Sequence, residues 1–161
     1  MFLKKIRFIL LLLLSYQTPL YSKSTSFNDF NSKNLSKYFS GIVASENKNN
    51  SKALDFFKSS KILINLHEPY LERFVMSLVL EDKVAQAINI IKANSDKKNS
   101  DFFEAYILLV LDSLKKNNIN EAKKILAKIS EHLQQNRFNF IILNSLKQYV
   151  EVFTTKKIQK E

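Results

Sequence analysis

Two histidines stand in the 161-residue chain, each with a glutamate beside it: His67 with Glu68, and His132 with Glu131. Imidazole and carboxylate can ligate zinc or move protons. A metal site, however, needs three or four ligands converging at helical spacing, and neither pair has a third. Both pairs are therefore expected to be solvated helix-end residues. Cysteine is absent, which removes thiolate metal sites, disulfides and a cysteine nucleophile together. Serines are plentiful, yet none lies in a Gly-x-Ser-x-Gly elbow. One glycine in the whole chain leaves nothing to build a phosphate-cradling loop. Glu68, Glu72, Asp101 and Glu104 fall near expected helix starts, where a carboxylate complements the helix dipole. No catalytic constellation, cofactor or metal is expected, and the chain is not read as an enzyme.

The elements that position these residues are helices. With one Gly and two Pro, the chain lacks the turn residues that β-rich and α/β folds use heavily. Hydrophobic residues at 45% and charged residues at 25% suffice for a packed core, so the chain is not a disordered tail. Apolar residues recur at helical spacing after residue 34, broken by short runs of Asn, Asp, Lys and Ser. Helices are predicted over 34–46, 50–64, 69–81, 83–93, 101–116, 119–133 and 137–154. Breaks this short place successive helices antiparallel.

Upstream of these lies an address. Lys4, Lys5 and Arg7 precede the apolar run 8–14, and residues 15–22 turn polar with Pro19 near the end. That is the layout of a secretory signal peptide over residues 1–22. Seven apolar residues fall well short of the ~20 that cross a bilayer as a helix. Export to the periplasm with signal cleavage is expected, an uncleaved N-terminal anchor being the alternative, and no integral span is expected after signal removal. Residues 23–33 form a polar linker and 156–161 a polar tail.

The formal charge of +10 falls to +7 without Lys4, Lys5 and Arg7. Basic proteins bind nucleic acid or anionic membranes. Here the excess is mostly lysine scattered among Asn, Ile and Phe, as an AT-rich genome encodes. Lys97-Lys98, Lys115-Lys116, Lys123-Lys124 and Lys156-Lys157 show no base-reading code at fixed repeat positions. No nucleic-acid partner is expected, while peripheral contact with a membrane surface stays open.

A repeat runs through the helices. Ala53, Ala87 and Ala122 are separated by 34 and then 35 residues, and a large apolar residue follows four places after each: Phe57, Ile91 and Leu126. A small residue lets two helices approach, and a large one fills the space between neighbouring hairpins. Gly41, twelve residues before Ala53, supplies a small residue on the first helix; Val75 and Val110 take that place later. This period and pattern resemble the second half of the tetratricopeptide repeat, over about residues 34–150. Lys37 stands where that repeat carries an aromatic, with Tyr38 beside it, and Asn65 where it carries a proline, while Tyr106 fits. Sel1-like and other α-solenoids remain alternatives, and the layout is similar to that of exported tetratricopeptide proteins of alphaproteobacteria.

The resemblance implies an all-α fold of antiparallel helical hairpins stacked as a short right-handed solenoid. Its units would span about 34–67, 68–101 and 102–136, with an incomplete fourth from 137, so the 34–155 region either ends on a capping helix or belongs to a longer array. It also implies a concave face lined by Tyr38, Ile42 and Ser45, then Glu72, Met76 and Val79, then Ile107, Leu111 and Leu114. Family members that grip a C-terminal carboxylate use Lys, Arg and Asn there, which this lining lacks. The expected role is a scaffold or adaptor with a protein or peptide partner in the cell envelope. The alternative is a helical domain of a longer protein whose activity lies beyond residue 161.

Overall fold

The computed structural model describes residues 31–129 and 136–158. The expected leader 1–22, most of the linker, His132 and the last three residues lie outside the described residues. Among the described residues the chain is all-helical and holds no strand. Seven α-helices follow one another: α1 (Ser32–Glu46), α2 (Asn50–Ser59), α3 (Tyr70–Leu80), α4 (Val84–Ala93), α5 (Phe103–Lys115), α6 (Ile119–Lys128) and α7 (Arg137–Ile158). Each packs against the next, and α3 also touches α5.

Helix ends follow local chemistry. The Asn31 side chain caps α1 by accepting the Asn34 N–H at 2.9 Å, and Asn49 and Asn118 cap α2 and α6 in the same way. The α2 helix stops at Ser59, five residues before the expected end. The Ser59 and Ser60 hydroxyls donate back to carbonyls of the last turn, at 2.9 to 3.2 Å. Such back-bonding competes with helix continuation, and the chain tightens into a 3₁₀ turn, Lys61–Asn65. That turn buries Leu63 and Ile64. Further on, Asp101 and Phe102 precede α5 instead of opening it, and α7 runs four residues past its expected end.

The three tight hairpin turns share one geometry. Lys48, Asp82 and Asn117 adopt positive φ, at 59°, 57° and 56°. In the first, the Lys48 N–H donates to Ser45 O at 2.9 Å and the Asn49 N–H to Ala44 O at 2.9 Å. Asp82 with Lys83, and Asn117 with Asn118, repeat both bonds at 2.8–3.0 Å. This is the paired closure that satisfies the last free carbonyls of a helix. Each turn residue lies five places before Ala53, Ala87 or Ala122, so the turns carry the same 34- and 35-residue steps.

The core has two parts. The first runs from Tyr38 through Phe57, Leu63, Tyr70, Phe74 and Ile91 to Ala105. The second holds Phe103, Val110, Leu126, Ile129, Leu143 and Val150. Leu109, on α5, packs against both. All of Gly41, Ala53, Phe57, Ala87, Ile91, Ala122 and Leu126 are buried. Gly41 rests so close to the Phe57 ring that an added Cβ would lie 2.8 Å from Cε1. The rings of Tyr38, Phe57, Tyr70 and Phe74 meet at centroid distances near 6 Å, within the range of favourable aromatic pairs. The buried Tyr70 hydroxyl donates to the Phe57 carbonyl, tying the start of α3 to the end of α2.

Candidate partner surface

The residues expected to line a partner surface divide by depth. Tyr38 does not line an open face: it is 2% exposed and sits inside the aromatic cluster. The reason is local. Tyr38 and Gly41 share one side of α1 at i, i+3, and the missing side chain at Gly41 brings α2 close enough to enclose the tyrosine ring. Ile42 and Val79 are half-buried against the first core, and Ile107 and Leu114 against the second. Glu72 is exposed, Met76 and Ser45 are half-exposed, and Leu111 keeps 48% of its surface.

The structure brings three of these together. Ser45, Glu72 and Met76 line one cleft of about 220 Å³ with Arg73 and Leu80 on its rim. Although Glu72 is exposed as a residue, its carboxyl is partly desolvated in the cleft, which chiefly pushes its pKa up from the ordinary range; Glu104 on α5 adds to this and Arg73 acts against both. Leu111 is not among the residues of this cleft. Near the start of α5, the Tyr106 hydroxyl donates to Asp101 at 2.9 Å. Burial and that carboxylate push its ionisation up to about 12, so it is a neutral donor at every physiological pH.

His67 departs from expectation. It is half-buried, with its ring edge-on to Tyr38 at a centroid distance of 4.7 Å. Around it Asn65, Glu68, Lys97 and Asn99 line an open depression of about 590 Å³. Lys97 donates to Asn65 Oδ1 at 2.6 Å and to Asn94 Oδ1 at 2.8 Å. Asn99 donates to the Ile64 carbonyl at 2.5 Å, fastening the segment before α5 to the 3₁₀ turn after α2. Among the described residues no group of three His, Asp or Glu side chains is placed to hold a metal ion. No described helix is long and apolar enough to cross a membrane.

Two further surfaces were not anticipated as a partner face. A groove of about 630 Å³ on α1 and α2 is lined by Phe39, Val43 and Phe56, with Phe39 and Val43 about 60% exposed. The α7 helix exposes Phe138, Ile141, Tyr149, Val152 and Phe153. The only signal for either in the sequence is more apolar residues than one helix face can bury. The chain matches no family model, and neither a curated protein nor a solved structure is significantly similar to it.

Proposed function

We propose that the chain is an exported, tetratricopeptide-like α-solenoid that acts as a scaffold or adaptor between proteins in the bacterial cell envelope. One observation carries this reading: a whole local unit recurs at 34 and then 35 residues. It comprises a left-handed turn residue, a buried alanine five places on and a buried large side chain four places after that. Stacked hairpins of this kind offer an extended surface, with affinity drawn from a few apolar anchors. The cleft at Ser45, Glu72 and Met76 and the exposed Leu111 are where such anchors would dock. Export rests on the charged and apolar segments of residues 1–22.

The test is a crosslinking pull-down from the envelope fraction of the producing bacterium, run beside Met76→Asp and Leu111→Asp variants. A discrete protein captured by the unaltered chain and lost with either variant supports the proposal. Identical capture with both variants would sink the assigned face. Recovery of the chain with residues 1–22 attached, in the cytosol, would sink export. A second reading, as a helical domain of a longer protein, is favoured by the two apolar faces of α7. A downstream catalytic motif in an extended reading frame would establish it over the scaffold.

A further inference from the structure

The α7 helix has two apolar faces, and only one is used inside the chain. Leu143 and Val150 are buried against the second core, with Ile142 and Leu146 beside them. Roughly 150° round the helix, Phe138 is 68% exposed, Ile141 54%, Tyr149 51% and Val152 52%. Projected at about 100° per residue, these four fall within about 40° of Ser145. The stripe they form is ~21 Å long and contains no charged residue. At the edge of the stripe the Tyr149 ring packs, tilted, against Phe153 at a centroid distance of 4.5 Å.

The stripe has a symmetry of its own. Phe138 and Val152 lie seven residues either side of Ser145, and Ile141 and Tyr149 lie four either side. An apolar set centred on a small residue is complementary to itself in the antiparallel sense. Laid across a second α7 with a two-fold axis at Ser145, each Phe138 meets a Val152 and each Ile141 meets a Tyr149.

We infer that α7 is a homodimer interface, closed by a second copy of this chain packed antiparallel about Ser145. This is an isologous contact, which closes on itself instead of growing into a filament. The inference stands apart from the scaffold reading and does not require it. Exposed area on the stripe comes to about 400 Å² per copy, taking roughly 150–250 Å² for a whole aromatic side chain. With its flanks the interface reaches only the lower end of specific interfaces, about 1,000 Å² in total. The dimer is accordingly weak, forming at micromolar concentration and above.

Sedimentation velocity of the full chain from about 5 to 200 µM, the range such an area implies, tests this directly. The expected result is a monomer–dimer shift that Ile141→Asp abolishes while leaving the helical circular dichroism unchanged. Because the chain has no cysteine, Ser145→Cys supplies a single thiol on the axis, and mild oxidation should convert it to a covalent dimer. Lys123→Cys, exposed on α6, should stay monomeric under the same treatment. A monomer at every concentration with no crosslink at Ser145→Cys overturns the inference, leaving the face to residues 1–30 or to a different protein. A dimer that survives Ile141→Asp overturns it as well, because the contact then lies elsewhere.

Discussion

At Gly41 a methyl group would press on the Phe57 ring at 2.8 to 3.1 Å, and that ring is 1% exposed with nowhere to retreat. Gly41→Ala gains about 1 kcal/mol of helix propensity but incurs about 1–3 kcal/mol of overpacking. A net loss of about 1 kcal/mol is expected in urea unfolding, recovered when Phe57→Leu is added to make room. Tyr70→Phe is expected to cost about 0.5–1.5 kcal/mol, the net worth of one hydrogen bond, because the Phe57 carbonyl still accepts from the Ser60 N–H and hydroxyl; a lowered midpoint at unchanged slope is the readout. The burial of Ala53, Phe57, Ala87, Ile91, Ala122 and Leu126 was legible from type and spacing, since apolar residues four apart share one helix face. Tyr38 was misplaced because its position in the repeat pattern points outward, and nothing in a linear pattern tells that Gly41 draws α2 over it.

The turns between helices make a different point. The scarcity of glycine correctly indicated helices, yet the left-handed turn positions are still occupied, by Lys48, Asp82 and Asn117. Three different residue types in one role leave no common letter to find, which is why these positions were not recognised. A left-handed conformation costs a residue with a Cβ about 1–2 kcal/mol, partly offset by the entropy that glycine loses on folding. Lys48→Gly is expected to stabilise the chain by about 0.5–1 kcal/mol. Asp82→Gly and Asn117→Gly should give less, because Asp and Asn tolerate this region better; thermal melts of the three variants would rank them. The α4 and α5 helices are also linked by charge: the Asp112 carboxylate accepts from Lys116 at 2.8 Å and from Lys92 at 2.9 Å. These bonds, that from Lys116 first, hold its pKa below the usual aspartate range. A depressed carboxyl pKa adds stability that is present above the unfolded value and disappears as pH falls through the folded one. Asp112→Asn should therefore destabilise by less than about 1 kcal/mol at neutral pH, both lysines being solvated. That difference should vanish well below pH ~4 and shrink in high salt, as chemical unfolding across pH would report.

Across the whole molecule, stability is distributed unevenly. The α3 helix buries Tyr70, Leu71, Phe74, Val75, Ser77 and Leu78, whereas α7 fully buries Leu143 and Val150 and packs on α6. Amide exchange should accordingly be slowest in α3 and faster in α7 at low concentration. Leu143→Ala, expected to cost about 2–5 kcal/mol locally, should raise exchange in α5–α7 and leave α1–α3 protected, because Leu143 belongs to the second core alone. A uniform loss of protection would contradict that division. All-helical architecture was legible because periodicity survives in a single sequence. The split into two cores was not, because it depends on which side of α5 each residue turns towards.

That split gives α5 a mechanical character. It lends Ala105 to one core and Phe103 and Val110 to the other, while α4 and α6 leave an open cleft of about 280 Å³ over it, from Ile91 to Ile125. A beam notched on one side bends at the notch. A load applied across α5 would be met first at that cleft, where Leu109 is the side chain that both cores share.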